Sequence, residues 1–96
     1  MLRLFKITGK SLEPIYNEGD FVLVSKIPFL VRQPRRGDIV VFRHPRLGIM
    51  IKHVERVTER RELYVSGTRP SSHDSDDFGV IPFTDVIGKV IGRIKR

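Results

Sequence analysis

The strongest constraint on the fold of this chain is its recurrent short runs of apolar and β-branched residues, most of which alternate with polar ones. No segment carries the sustained apolar stripe of an amphipathic helix. Strands are predicted at Leu2–Ile7, Phe21–Val24, Ile39–Phe42, Ile49–Val57, Leu63–Val65 and Val86–Ile94. The pattern predicts an all-β domain, a coiled sheet or open barrel, with at most one short helical turn after Ser11, at Ser11–Tyr16.

Glycine and proline mark the connections between these strands. Glu18–Val22 reads EGDFV and Arg36–Val40 reads RGDIV, so each Gly-Asp pair is predicted to form a turn that leads into a strand. Ile27–Arg36 contains two prolines and is predicted to be a connecting loop. Gly67–Phe83 is predicted to be a long loop, of a length that often carries function. Nothing marks a linker, so residues 1–96 are predicted to form a single domain.

The composition excludes several classes of function. The 96 residues include no cysteine, which excludes disulfides, thiolate metal sites and cysteine nucleophiles. His44, His53 and His73 lack metal-ligand spacing and are interpreted as solvated or satisfied side chains, so no metal or other cofactor is expected. No apolar run approaches the length of a transmembrane helix. The net charge of +7 favours anionic partners, either nucleic acid or an acidic membrane surface, although the basic residues are spread along the chain.

Ser11 is the first candidate for chemistry. Gly9-Lys10-Ser11 is similar to the end of a phosphate-binding loop, but Leu4 occupies the position of the first glycine of such a loop. Pro14 also interrupts the helix that should follow. The nucleotide interpretation therefore fails. Ser11 is then either an ordinary turn residue or a nucleophile, and a serine nucleophile needs a base to take its proton.

Lys52 is the candidate base. It lies within the most apolar predicted strand, and strand alternation places it on the same face as Met50 and Val54. A lysine at such a position either extends its amine to the surface or is desolvated. Desolvation favours the neutral amine, which can act as a general base towards a serine. Both alternatives are open at the level of the sequence.

The motifs around these two residues resemble those of type I signal peptidases and their relatives, the Ser-Lys serine proteases that include LexA-like self-cleaving repressors. The resemblance covers nearly the whole chain and keeps the family's order. The matching segments are the nucleophile motif at Ile7–Pro14, the Gly-Asp strand at Glu18–Val24, the second Gly-Asp segment at Pro34–Phe42, the base motif at Ile51–Val54, the Gly-Asp-Asn-Arg box at Ser66–Gly79 and the closing strand at Ile87–Val90.

The resemblance implies a serine endopeptidase in which Ser11 is the nucleophile and Lys52 is the general base. The backbone N–H of Ser11 would form part of the oxyanion hole, and Gly9 occupies a supporting position from which it offers no hydroxyl. Three further positions match the family's box. Ser72 would orient the Lys52 amine, and Asp74 and Ser75 would hold the loop that closes over it.

The resemblance also implies a protein substrate that binds as an extended strand and is cut after small residues, so that an N-terminal leader, signal or pro-segment is removed. Backbone pairing along a strand edge supplies affinity in such recognition, and shallow pockets supply selectivity. The matching substrate-binding positions are Phe5, Ile7, Leu12, Met50 and Ile51. Each of them, taken alone, is also typical of an ordinary core.

Two departures from the family's pattern keep an alternative open. Thr68 replaces a polar anchor of the Gly-Asp-Asn-Arg box, and Asp76 stands where the family has an arginine. A catalytically impaired member that binds peptides is therefore the alternative within the same fold. A basic nucleic-acid-binding β module is the alternative from another class. No nucleic-acid partner is expected, because the Gly88–Gly92 spacing is one residue too long for a loop that grips RNA.

The family's N-terminal membrane helix has no counterpart in this sequence. The chain is expected to be membrane-associated if an anchor was removed from it, and otherwise cytoplasmic. Short soluble relatives of this kind include the maturation proteases associated with nickel superoxide dismutase.

Overall fold

The computed structural model describes residues 2–7, 18–46, 48–66 and 79–94. Seven strands form within these residues: β1 (Leu2–Lys6), β2 (Phe21–Ser25), β3 (Ile39–His44), β4 (Gly48–Val57), β5 (Glu62–Ser66), β6 (Ile81–Pro82) and β7 (Val86–Ile94). All pairs are antiparallel, and the strands form one sheet in the order β1-β2-β7-β3-β4-β5-β6. The prediction of an all-β, open coiled sheet is confirmed.

The sheet coils so that apolar side chains are buried on both of its faces. Strand β3 demonstrates this, because the consecutive residues Val40, Val41 and Phe42 are all buried. Side chains alternate between the two faces of a strand, so Val40 and Phe42 enter one core and Val41 enters another. The first core comprises Phe29, Val40, Phe42, Val54, Leu63, Val65, Ile81 and Val86, and the second core comprises Ile7, Val22, Val24, Val41 and Val90.

Irregular pairing along β7 provides part of the curvature. The register shifts between Leu23 and Val24 where β2 pairs with β7, and between Val41 and Phe42 where β3 pairs with β7. Such bulges bend a strand and increase its twist. Gly88 lies at this bend, and a Cβ atom there would come within 2.8 Å of the Ser25 carbonyl carbon. Glycine is therefore required for β7 to approach β2 this closely.

The two Gly-Asp pairs form matching turns, as the sequence predicts. Gly19 and Gly37 have positive φ angles of 93° and 94°, a conformation that glycine adopts without steric cost. Each turn leads directly into a strand, β2 after Asp20 and β3 after Asp38. Both aspartates are buried, so each turn also delivers a carboxyl group into the protein.

Two connections contain more regular structure than the sequence predicts. Within Ile27–Arg36, predicted to be a loop, Pro28–Val31 forms the short helix α1. Proline suits the first turn of a helix, and Phe29 anchors this turn in the first core. The second correction concerns the end of the predicted loop Gly67–Phe83, where β6 pairs with β5 and a 3-10 turn follows at Phe83–Asp85. This region is ordered into a strand because Ile81 is buried in the first core.

The predicted helical turn at Ser11–Tyr16 lies outside the described residues. Among the residues that the structure does describe, no helix is long and apolar enough to cross a membrane.

Candidate active site

Lys52 lies in the middle of β4 with only 2% of its surface exposed. It pairs with Val40 of β3, and its neighbours on the same face, Met50 and Val54, contact or belong to the first core. The structure therefore excludes the alternative in which this amine extends freely to the surface. Burial disfavours the ammonium form of a lysine, so the position suits an amine that acts as a base.

Strand β5 ends beside Lys52. Ser66, the last residue of β5, pairs with His53, so Lys52 lies just past the end of this strand in the register of the sheet. The connection 67–78 begins at this point of the sheet. Ser72, Asp74 and Ser75, which are predicted to orient the amine and hold the covering loop, belong to that connection and lie outside the described residues. Their roles stay predictions.

Ile7 attaches the segment that carries Ser11 to the sheet. Its N–H donates a hydrogen bond to the carbonyl oxygen of Asp20 at 2.7 Å, and its own carbonyl oxygen accepts one from the N–H of Gly19 at 3.0 Å. Ser11 follows four residues later in the sequence. Gly9, Ser11 and Leu12 themselves lie outside the described residues.

The predicted substrate-binding residues divide between the two cores. Ile7 belongs to the second core, and Phe5 and Ile51 contact it. Met50 contacts the first core instead, because consecutive residues of β4 face opposite sides of the sheet. Through Ile51, β4 contacts the same second core that Phe5 of β1 contacts. Lys52 lies in β4, and β1 precedes the segment that carries Ser11. The substrate-binding role of these four residues and of Leu12 stays a prediction.

The other face of β4 carries a polar cluster that the sequence did not single out. The Ser66 hydroxyl donates a hydrogen bond to Glu55 Oε1 at 2.7 Å, and His53 lies opposite Ser66 across the strand pair. These residues, with Arg36, Gly37 and Val54, line an open pocket of about 250 Å³. Burial lowers the pKa of the His53 imidazole, and the Glu55 carboxylate only partly opposes this. His53 is therefore mostly neutral at neutral pH.

Asp38 forms the main charged contact near this part of the sheet. Arg32 donates two hydrogen bonds to its carboxylate, at 2.9 and 3.2 Å, and the N–H of Arg35 donates a third at 3.0 Å. Burial acts to raise the pKa of the Asp38 carboxyl. The hydrogen bonds and the positive charges of Arg32 and Lys89 outweigh this effect and lower the pKa. The repeated Gly-Asp pair was the sequence signal for this site, but nothing in it indicated Arg32.

The described residues include no group of three histidine or acidic side chains that could hold a metal ion. Within the described residues, the site offers the buried amine of Lys52 on a face that it shares with Met50 and Val54.

Residues 1–58 match the family model described as "Signal peptidase, peptidase S26", and this range includes both Ser11 and Lys52. The chain belongs to this signal peptidase family. The match covers four of the segments that resemble family motifs: Ile7–Pro14, Glu18–Val24, Pro34–Phe42 and Ile51–Val54. In chain order, these segments lie between the start of β1 and the end of β4.

Individual signal peptidases are similar to parts of this chain. Signal peptidase I of Pseudomonas aeruginosa is 32% identical over 85 aligned positions that cover 66% of this chain. Signal peptidase I of Aquifex aeolicus is 40% identical over 42 residues, which cover 44% of it. Signal peptidase I V of Bacillus subtilis is 33% identical over 69 aligned positions that cover 66%. This chain spans only 30%, 16% and 41% of these relatives, respectively.

Proposed function

We propose that this chain is a serine endopeptidase that uses Ser11 and Lys52 to cleave an N-terminal leader, signal or pro-segment after small residues. The observation that carries the proposal is the burial of Lys52 in the centre of β4. A lysine is almost never fully buried unless it is paired, so the buried amine of Lys52 has a specific environment. The chain belongs to the signal peptidase family, and the segment Ile51–Val54 resembles the base motif of that family.

In the proposed mechanism, the neutral amine of Lys52 takes the proton of the Ser11 hydroxyl. The Ser11 oxygen attacks the carbonyl carbon of the scissile peptide bond, and backbone N–H donors stabilise the negative charge that develops on the carbonyl oxygen. The Lys52 ammonium then gives its proton to the departing amine, which leaves an acyl-enzyme. Water, deprotonated by the same amine, releases the acyl group and restores Ser11.

The burial of Lys52 contributes to the proposed mechanism because desolvation disfavours the ammonium form of a lysine. An ammonium ion would have to be desolvated between Met50 and Val54, and that desolvation is unfavourable. Ser72 is proposed to orient the amine through a hydrogen bond, and Asp74 and Ser75 to hold the loop over it. Phe5, Ile7, Leu12, Met50 and Ile51 are proposed to form the apolar wall along the substrate.

The test is hydrolysis of a peptide that carries alanine before the scissile bond. Ser11→Ala and Lys52→Ala are compared with the wild type and with Lys89→Ala, a matched control because Lys89 lies in the same row of the sheet. We expect both site variants to lose on the order of 10²-fold or more in kcat/KM, as for the loss of a general base, and Lys89→Ala to stay active. Circular dichroism checks that each variant is folded.

The proposal fails if the wild type cleaves no such peptide, or if Ser11→Ala cleaves it as fast as the wild type. Saturable peptide binding without cleavage would support the impaired, peptide-binding alternative, which the altered residues Thr68 and Asp76 motivate.

A further inference from the structure

The last two residues of β5 lie beside Lys52. Val65 pairs with Val54 of β4, and Ser66 pairs with His53. Residues two apart along a strand share a face, so Val65 is the diagonal neighbour of Lys52 on the face that the first core covers. Both side chains are buried. The end of β5 is therefore part of what separates the Lys52 amine from water.

Few residue pairs hold this end of β5 against β4. The register shifts between Val54 and Arg56, where the pair Val54–Val65 is followed by Arg56–Tyr64. Among the described residues, two pairs lie between this irregularity and the end of β5. Strand ends open more readily than strand centres, because fewer contacts must break. An open pocket of about 250 Å³ adjoins Ser66, so solvent is present next to this end.

A side-chain hydrogen bond fastens the end of β5. The register passes over Glu55, which makes Glu55 the extra residue of the irregularity, and such residues redirect their side chains. The Ser66 hydroxyl donates a hydrogen bond to Glu55 Oε1 at 2.7 Å, and a carboxylate acceptor strengthens it. The bond joins the last residue of β5 to the irregular point of β4. We call it the Glu55–Ser66 clamp.

We propose that Glu55 and Ser66 are positioning residues for the proposed general base. The Glu55–Ser66 clamp holds the end of β5 over Lys52 and so keeps water from its amine. The inference rests on the proposed function of Lys52. When the clamp is removed, the end of β5 opens, water reaches the amine and the ammonium form becomes more favourable. The amine is then neutral only at a higher pH.

The charged groups around Lys52 allow the effect of the clamp to be recognised. The first core itself consists of apolar side chains from several elements. The charged and titratable side chains near it are Asp38 and Lys89 on the side of β3 and, on the opposite face of β4, Arg36, His53 and Glu55. Loss of the Glu55 charge by itself would favour the neutral amine. Loss of the clamp favours the ammonium, so the two effects have opposite signs.

The experiment follows the titration of Lys52 in the full chain by NMR of its Cε and Nζ atoms. The pH profile of kcat/KM for a peptide with alanine before the scissile bond is the second measurement. Ser66→Ala removes the donor of the clamp without changing the charge. We expect it to move the Lys52 titration to higher pH and to lower kcat/KM on the acid limb by about 3- to 10-fold.

Two substitutions of Glu55 separate its hydrogen bond from its charge. Glu55→Ala removes the acceptor, so it should move the Lys52 titration to higher pH as Ser66→Ala does. Glu55→Gln keeps an oxygen that can accept the hydrogen bond of Ser66. We expect Glu55→Gln to leave the titration at the pH of the wild type or slightly below it.

The matched control lies at the other end of the pair of β4 and β5. The Thr58 hydroxyl accepts a hydrogen bond from the N–H of Glu62 at 3.2 Å, which fastens the start of β5. Thr58→Val removes this hydroxyl, again without a change of charge. It should leave the Lys52 titration and the acid limb as they are in the wild type. Urea unfolding of Ser66→Ala and Thr58→Val compares their effects on stability.

Three results would overturn the proposal. The first is a Lys52 titration that Ser66→Ala leaves unchanged, and the second is an equal move in Thr58→Val and Ser66→Ala. The third is an equal move to higher pH in Glu55→Gln and Glu55→Ala. A wild type that cleaves no peptide is a separate result. It contradicts the proposed function, whereas the NMR titration of Lys52 still tests the clamp.

Discussion

Lys52 and Lys89 lie on either side of Val40 in the sheet, but their surroundings differ. Val40 of β3 pairs with Lys52 of β4 on one side and with Lys89 of β7 on the other, so the three residues form one row. Lys52 is buried, whereas Lys89 is half-buried and its charge acts on the Asp38 carboxylate. Both residues are lysines that pair with Val40, so the difference in their burial comes from the tertiary packing around each side chain.

The comparison separates two uses of a lysine. Beside Asp38, the Lys89 ammonium contributes electrostatic stabilisation, which requires it to stay charged. Lys52, between Met50 and Val54, is buried, and burial disfavours the ammonium form. The first use is structural. The second use is the one that the proposed proton transfer from Ser11 needs.

Exchange of each lysine for arginine gives the largest expected difference in kcat/KM between the two positions. Arginine keeps the positive charge but cannot be deprotonated in a protein, so it cannot replace a general base. We expect Lys52→Arg to lower kcat/KM for an alanine-containing leader peptide by about 10²- to 10⁴-fold. Lys89→Arg should retain nearly full activity. Comparable activity of the two variants would contradict the assigned roles.

Gly88 is the residue before Lys89. Substitution of Gly88 tests whether the fold requires the close approach of β7 to β2 beside Lys89. A Cβ atom at Gly88 would lie 2.9 Å from the Ser25 carbonyl oxygen, so we expect Gly88→Ala to lower the free energy of unfolding by about 1–3 kcal/mol. Gly92 is the matched control, because its Cβ atom would meet nothing nearer than 3.5 Å. Urea unfolding measures both variants, and equal stability would show that the bend tolerates a side chain.

Removal of the Asp38 charge gives the smallest expected effect and tests the charged contacts of Asp38 with Arg32 and Lys89, on the Lys89 side of the row. The folded-state pKa of Asp38 is lowered, so its ionised form stabilises the fold above its ordinary pKa of 3.8, and this contribution is lost as pH falls through the folded-state value. Asp38→Asn should lower the free energy of unfolding by about 1 kcal/mol at neutral pH, because hydrogen bonds to a charged acceptor are lost. The difference from the wild type should shrink in acid.

Glu59→Gln, in the exposed turn between β4 and β5, is the control for the loss of one negative charge. Thermal unfolding of the wild type and of both variants across the acid range measures the effect. A difference between Asp38→Asn and the wild type that grows as pH falls would have the wrong sign for a carboxyl group with a lowered pKa. The proposed peptide hydrolysis should be little affected in either variant.

Much of the fold could be predicted from local pattern. Short apolar and β-branched runs, most of them alternating with polar residues, located six of the seven strands, and the two Gly-Asp pairs located turns whose glycines adopt positive φ. The strand β6 could not be predicted, because two residues, Ile81 and Pro82, carry no period. They become a strand only by pairing with Glu62 and Leu63. The helix α1 is similar, since Phe29 anchors it through a contact with the distant Phe83.

For the candidate site, the sequence by itself determined which residues to consider, because the motifs around Ser11 and Lys52 are local. It also determined that Lys52 shares a face with Met50 and Val54, since side chains alternate along any strand. Only the tertiary structure decided whether that face is open to solvent. The first core that covers it brings together residues from β3, β4, β5 and the distant Phe29. Burial of a lysine depends on such long-range packing, and local pattern does not encode it.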